Sequence, residues 1–542
     1  MVELLRFLAR SAPRNFAFAT VFGVLGGALG AGLIVVVNEG LRSNGVIPAS
    51  LPWLFAVVVV ASVTTRTVAQ AIVHRVSHRS IVRLRRDLID AMLGARLRRV
   101  EEVGQASVYS ALADDVVLVA NALPGIPLVI AGAAFVTVTL VYLLVVSPLV
   151  GLATAIAIAL GVALYLAWSV RGTRHLTAAR IEQDALFTAF KEVTEGVKEL
   201  KLNAERRRLI AGRMLDRTAE VHRRESVTGL TLFLGAGASG QLVFYALLGV
   251  LMFGPLGLPW EVVSGTVLVL LFAVSSLDAV LTWVPTLAKG AVALEGMRGR
   301  AAALSEGVDE GAAPVTGAFA AWDRISYEGI HHTYPGPRNE RFVLGPLDFT
   351  LERGEVVLIS GPNGSGKTTL AKLVTGLYLP EEGRIAVDGT PVDEVHLAEF
   401  RSLFSAIYAD FQVFETLVGL PGAGDADRVQ HYLERLQLAD RVRLRPDGTW
   451  STTKLSTGQR KRLALVCVLL EDRDICLFDE WAADQDPVFK EVFYRELLPE
   501  LKQRGKTVVA ITHDDRYFGA GDRLLRIENG RIEGARTYEP SC

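Results

Sequence analysis

Six stretches apolar enough to cross a lipid bilayer lie between Phe16 and Ala288: Phe16–Val37, Pro52–Val73, Ala122–Val146, Leu149–Val170, Leu230–Phe253 and Val262–Ala288. Each is about as long as the roughly 20 residues that a helix needs to span the hydrocarbon core, some including polar residues. The first part of the chain is therefore expected to be an all-α polytopic membrane domain of six transmembrane helices. Ser147 and Pro148 alone separate the third and fourth stretches, which predicts a tight hairpin. Mean hydropathy over the whole chain is +0.33. That average hides a split near Arg300, beyond which the sequence is much more polar.

Basic residues orient the spans, because cytoplasmic loops collect Lys and Arg. Arg6, Arg10 and Arg14 precede the first span. Arg75, Arg79, Arg83, Arg85, Arg86, Arg96, Arg98 and Arg99 follow the second, and the stretch from Arg171 to Arg224 is also basic. The intervening loops carry almost no positive charge: only Arg42 in Asn38–Leu51 and none in Gly254–Glu261. Both termini are expected on the cytoplasmic side of a bacterial inner membrane. The opening Met-Val-Glu-Leu-Leu-Arg lacks the apolar core and small-residue cleavage site of a signal peptide. The two basic segments are expected to continue the membrane helices into the cytosol. Within Thr194–Asn203, Gly196 is expected to break a helix, with a short helix or a solvated charged face after it.

Arg66 and Asp278 lie inside spans, where charge is costly. Either they face a water-filled cavity, or they pair or snorkel to the interface. Gly26, Gly27, Gly30 and Gly32 in the first span suit close helix packing. A formal net charge of −1 gives no argument for a nucleic-acid partner. Cys467, Cys476 and Cys542 suggest reduced thiols rather than a disulfide framework.

Residues 305–324 read as a linker between the membrane domain (1–304) and a second domain (325–542). Its first segment, Ile325–Tyr334, alternates apolar and polar residues like an edge strand. Next, the β-branched run Val356–Ser360 leads into Gly361-Pro362-Asn363-Gly364-Ser365-Gly366-Lys367-Thr368-Thr369 and a helical stretch. Strand, glycine loop and helix in that order form a phosphate cradle. Successive backbone N–H groups turn toward one anion, and the helix N-terminus adds its dipole. Lys367 is suited to reach the β- and γ-phosphates of a nucleotide, and Thr368 to ligate Mg2+.

A second apolar strand, Ile475–Phe478, ends in Asp479-Glu480. Asp479 is placed to hold magnesium and Glu480 to polarise an attacking water as general base. Between the two lies Leu455-Ser456-Thr457-Gly458-Gln459 ahead of a helical run, an anion site or an ordinary helix cap by itself.

These motifs in this order resemble the ABC ATPase family, and six spans ahead of them resemble ABC exporters. The resemblance implies an α/β P-loop nucleotide-binding domain that binds ATP and Mg2+. It makes Ser456, Thr457, Gly458 and Gln459 the signature that completes the ATP site of a second copy. Thr457 departs from the pattern, which usually has Gly. Further implied are His513 as the switch histidine, Tyr334 as the aromatic that stacks on adenine, and Asp486 as the D-loop aspartate. The glutamine usual near Tyr408-Ala409-Asp410-Phe411-Gln412 falls instead at Ala409 or Asp410, so Asp410 is a further magnesium candidate.

Phe478–Pro487, Thr194–Asn203 and His513–Phe518 are similar to the bacterial cyclic-peptide exporter branch, with its syringomycin-type and pyoverdine-type members. That branch implies export of a peptide-like secondary metabolite. Export of lipid or hydrophobic drug fits the apolar spans equally, and a membrane-tethered regulatory ATPase is a third reading.

Overall fold

The computed structural model describes residues 2–42, 48–210, 212, 216–255, 259–305, 317–335 and 341–537. The chain divides into two compact units, one of residues 1–89 and 106–300, the other of residues 90–105 and 301–542.

The first unit is helical. Five of its helices contain stretches long and apolar enough to cross a membrane: Pro13–Gly40, Ser50–Gly94, Ser107–Val146, Pro148–Gln183 and Asp216–Phe253. The sixth expected span falls in the continuous helix Trp260–Ser305, whose described apolar stretch is Val262–Val274. Several helices far outrun the bilayer. At 1.5 Å per residue, the 48 residues of Pro148–Glu195 reach about 70 Å. Gly196 stops that helix, and the short helix Val197–Leu202 follows. The expected hairpin is present: Ser147 is extended, and Pro148 opens the next helix.

Glycine permits close packing where the first span crosses the third. A Cβ on Gly27 would stand 2.1 Å from the carbonyl oxygen of Ala131, whereas Gly32 has nothing near it. Ala31, Phe135, Val150, Phe244 and Leu270 draw the first, third, fourth, fifth and sixth expected spans into one core. Arg66 is exposed on its helix. The side chain of Asp278 lies outside those described.

The second unit holds two sheets. An antiparallel one has the order β2 (Arg341–Glu352), β1 (Arg324–Pro335), β4 (Glu382–Val387), β5 (Thr390–Pro391). This corrects the edge-strand expectation for Ile325–Tyr334, since β1 pairs on both sides. Phe319 and Trp322, inside the expected linker 305–324, are buried in this unit's core. Residues 306–316 lie outside the described ones.

The larger sheet has the order β10 (Arg531–Thr537), β9 (Arg523–Glu528), β3 (Val356–Ser360), β8 (Thr507–Ile511), β7 (Ile475–Asp479), β6 (Phe404–Ile407). Strands β3, β7 and β8 are buried along their whole length. That burial is why they read as unbroken apolar runs rather than alternating ones. All strands but β10 run parallel. The segments leaving the carboxyl ends of β3, β8, β7 and β6 therefore emerge on one edge, where open α/β sheets place their ligands. The Cys467 and Cys476 thiols are free and pushed up to about 12 by burial, so they are inert. Cys542 lies outside the described residues.

Candidate nucleotide site

The loop Gly361–Gly366 joins β3 to the helix Lys367–Val374. Its path depends on glycine at two points. Gly366 caps the helix with φ of 99°, a left-handed conformation, and a Cβ there would meet Leu344 Cδ1 at 2.8 Å. A Cβ on Gly361 would lie 2.0 Å from the carbonyl oxygen of Ile527. Pro362, Asn363, Gly364 and Thr368 are exposed, and Thr369 is half-buried. Lys367 is 5 % exposed, and its ammonium donates to the carbonyls of Pro362 (2.9 Å) and Gly361 (3.1 Å). Burial lowers its pKa against the pull of Glu480 and Asp479. The Ser365 hydroxyl is buried without a hydrogen-bond partner.

Asp479 ends β7, two strands from β3, and is fully buried. Burial pushes its carboxyl above the usual range, against the pull of the Thr368 hydroxyl; the Glu480 charge adds to the rise, and the Ala409 N–H offsets part of it. Neither contact satisfies the carboxylate: both oxygens are sealed from solvent with no hydrogen-bond partner. A buried, unpartnered carboxylate beside an exposed threonine hydroxyl suits a hard divalent cation, which takes oxygen ligands. Among the described residues no three His, Cys, Asp or Glu side chains converge on a metal position. Such a cation would therefore complete its shell with phosphate oxygens and water.

Glu480 sits next along the chain with φ of 52° and ψ of 33°. A non-glycine residue in the left-handed region is a local strain that surrounding contacts must hold. Its N–H donates to the Ile511 carbonyl at 3.2 Å, and its carbonyl accepts from the buried Lys461 ammonium at 2.7 Å. Its carboxylate meets His513 Nε2 at 2.8 Å. Both side chains line a cavity of about 320 Å3 with Lys490, Tyr494 and Asp514. Parallel pairing of Asp479 with Ile511 brings acid and histidine together, since each lies just past its strand end.

Ser456 caps the helix Thr457–Glu471 with a full capping box. Its hydroxyl accepts from the Gln459 N–H at 3.3 Å, and its own N–H donates to Gln459 Oε1 at 3.1 Å. Ser456 and Thr457 are exposed. No hydrogen bond or ion pair joins 456–459 to 361–369 among the described residues. Gly458 offers its carbonyl to Gln485 Nε2 at 3.1 Å, and Asp486 caps the helix Pro487–Val492. Arg462 ties these parts together: it binds Gln485 (2.9 Å) and Asp486 (2.7 Å) and lies 3.9 Å from the Phe489 ring centroid. Sequence reasoning missed Lys461, Arg462 and Gln485. A buried lysine one turn into a helix is invisible until its Asp484 partner, 2.7 Å away, is seen.

Tyr334, near the end of β1, is 43 % exposed. Close by, Tyr378 stacks on His332 with ring centroids 4.8 Å apart. Its hydroxyl bonds Glu101, and burial, then Glu101, raises its pKa. Glu101 also pairs with Lys372, on the helix after the phosphate loop, at 2.8 Å. Its neighbours in the helix Leu97–Val103 region join the same surface: Arg98 pairs with Glu381 at 2.6 Å, Arg96 with Glu394, and Leu97 packs into the core. Thus a segment between the second and third spans packs within the nucleotide unit, a docking that sequence reasoning did not foresee. Asp410 is exposed in the turn after β6, and no hydrogen bond or ion pair links it to Asp479 or Thr368 among the described residues. The backbone of Ala409, one residue earlier, is what faces Asp479.

Comparisons with known proteins agree with this geometry. The family model for the ABC transporter matches residues 344–483. The ATP-binding protein SyrD of Pseudomonas syringae pv. syringae is 35% identical over 98% of this chain and 96% of its own. An ATP-dependent lipid A-core flippase of Bordetella avium is 31% identical over 42% of this chain and 40% of its own. Among solved structures, a bacterial Atm1-family ABC exporter with ATP bound superposes with a TM-score of 0.76 at 18% identity, covering 98% of this chain and 95% of that one.

Proposed function

The chain belongs to the ABC transporter family as an ATP hydrolase coupled to transport, and on that premise we propose that it exports a peptide-like secondary metabolite. The class meant is a cyclic peptide, lipopeptide or peptidic siderophore. Two copies would act together in a bacterial inner membrane, with both termini and the nucleotide units cytoplasmic. In this reading the loop Gly361–Thr369 grips the triphosphate of ATP, and Lys367 exchanges its two carbonyl acceptors for phosphate oxygens. Tyr334 stacks on the base. Thr368 and Asp479 would hold magnesium, with Asp410 a water-mediated contact at most. When bound, magnesium offsets the charge that builds on the phosphates during transfer. Glu480 orients water and takes its proton, and His513, 2.8 Å away, fixes that carboxylate against the γ-phosphate.

Ser456 and Thr457 are exposed, and among the described residues no hydrogen bond or ion pair joins 456–459 to the phosphate loop 361–369, which supports a homodimer in which each signature closes the other copy's ATP site. Asp486, held by Arg462, would link the paired sites in this reading.

The observation that carries the cargo class is a cavity of about 320 Å3 in the membrane unit. Leu118, Leu176, Phe233 and Val292 make much of its wall apolar, while Asp114 and Lys289 bring one charge of each sign. Neither charge has an ion pair among the described residues. A π-helical turn, Ala111–Asp115, separates the roles of two adjacent acids. Asp115 is buried against Arg300 at 2.9 Å, and Asp114 is left to the cavity. Apolar walls with a free acid and a free base suit an amphipathic zwitterion. The relative named as a lipid A-core flippase and the apolar walls favour lipid or hydrophobic drug as the second reading.

Uptake into inverted vesicles tests the choice: ATP-dependent accumulation of a zwitterionic lipopeptide but not of a neutral drug is expected. Accumulation of lipid or drug alone would transfer the assignment to the second reading. Lys289→Ala combined with Asp114→Asn is expected to raise the peptide concentration for half-maximal ATPase stimulation by about tenfold, the loss of two charge-assisted contacts partly exposed to solvent. An unchanged concentration would remove the cavity from the cargo path.

The Glu101 contacts support a route by which cargo and nucleotide influence one another, since one carboxylate touches both the helix after the phosphate loop and the aromatic pair beside Tyr334. Glu101→Gln is expected to cut cargo stimulation of ATPase by about fivefold or more. Measuring the ratio of stimulated to basal rate checks this, and an unaltered ratio would exclude Glu101 from the route.

A further inference from the structure

A second cavity in the membrane unit, of about 390 Å3, is lined by Arg14 and Asn15 at the start of the first span and by Val76, Arg79, Ser80 and Arg83 on the helix Ser50–Gly94. Its lining holds three arginines and no acid. None of the three has an ion pair or hydrogen bond among the described residues. Three cations gathered without a carboxylate repel one another, so the arrangement is completed by an anion. The guanidinium fork matches two oxygens of a phosphate.

Depth along the helices says which phosphate. Arg14 stands two residues before the apolar stretch that begins at Phe16. Arg79 and Arg83 follow Val73, where the second stretch ends, by about 9 and 15 Å of helix rise. They lie one helical turn apart, on the same face. Side chains on a helix lean toward its N-terminus, which for Ser50–Gly94 is the bilayer end. The Arg79 and Arg83 guanidiniums are thereby directed back toward the headgroup layer, a zone several Å deep outside the hydrocarbon, which Arg14 borders from the start of its own span. The approach is anchored: Leu4 and Phe7 of the preceding helix Val2–Ser11 are buried, Phe7 under the Arg298 guanidinium. Ala12 and Pro13, at the break between that helix and the first span, complete the rim.

We propose that Arg14, Arg79 and Arg83 form a site for the phosphate headgroup of an anionic phospholipid in the basic-side leaflet, independent of cargo. Anionic lipid is concentrated in that leaflet and drawn to juxtamembrane basic residues. Native mass spectrometry of the full-length protein in detergent tests this. The probes are phosphatidylglycerol, phosphatidylcholine and inorganic phosphate. Wild type is expected to retain phosphatidylglycerol in preference to phosphatidylcholine. Arg79→Gln with Arg83→Gln is expected to weaken phosphatidylglycerol on the order of 30-fold and leave phosphatidylcholine unchanged. Arg86→Gln, exposed on the same helix but outside the cavity, is expected to change neither. The lysine pair Arg79→Lys with Arg83→Lys keeps charge but loses the fork, and an intermediate loss is expected; it also serves if the glutamine pair folds poorly. Equal retention of the two lipids, or phosphatidylglycerol held as well by both double variants as by wild type, would overturn the site. Displacement of phosphatidylglycerol by millimolar inorganic phosphate would overturn the lipid assignment in favour of a free anion.

Discussion

Glu480→Gln is expected to bind magnesium-ATP as wild type does and to hydrolyse it about 10²- to 10⁴-fold more slowly, the range a positioned general base contributes. The substitution keeps volume and reach. A glutamine carbonyl or amide still meets His513 Nε2 across the 2.8 Å contact. The backbone changes little, because the left-handed turn is held by the Ile511 and Lys461 contacts rather than by the side chain. What is lost is the ability to accept the water's proton. With hydrolysis stalled, two nucleotide units closed over ATP have no route to open, so the closed dimer should accumulate. Single-turnover hydrolysis and cross-linking of the full-length protein with ATP measure the two effects. Hydrolysis at the wild-type rate would remove Glu480 from the role of base.

The placement of the site's residues was legible in sequence because its parts are local. A phosphate loop is a strand, a turn and a helix in consecutive residues, and Asp479-Glu480 and His513 each follow one buried strand. The parallel sheet alone then brings them to one edge. The five helices long and apolar enough to cross a membrane were legible for a similar reason, since bilayer thickness imposes a length that one dimension can record. Contacts between distant segments were not. Glu101 reads as one acid among arginines until it meets Lys372 and Tyr378. Lys461 and Arg462 lie in a run legible only as helical, yet both hold the turn that carries Glu480 and Asp486. Strand β1 alternates as an edge strand does, because one face packs on the core while its hydrogen bonds go to two neighbours. Alternation reports which face is buried and says nothing of pairing. Asp410 was reached by analogy of position, and the structure turns the preceding amide, not that side chain, toward Asp479.

Lys367→Ala separates grip from chemistry and is expected to raise the Kd for ATP by about 10²-fold or more. The ammonium makes two charge-assisted hydrogen bonds, each of which contributes about 1.5–3 kcal/mol, and a tenfold change in affinity is about 1.4 kcal/mol. In the structure the Lys367 ammonium donates to the Pro362 and Gly361 carbonyls. The lysine is thus already in the cradle, at 5 % exposure. Its lowered pKa records how poorly the charge is solvated there. Arrival of phosphate offers that charge a full anion in place of two dipoles, and this difference is what alanine removes. Alanine also leaves the two loop carbonyls without their donor, so some loss of thermal stability is expected with the loss of binding. The contrast with Glu480→Gln is diagnostic: one variant binds without turning over, the other fails to bind. Fluorescent-nucleotide titration of both, in the same detergent, measures the pair. An unchanged Kd in Lys367→Ala, with the fold intact by circular dichroism, would show that triphosphate is not held at this loop, and the transport mechanism built on it would fall with it.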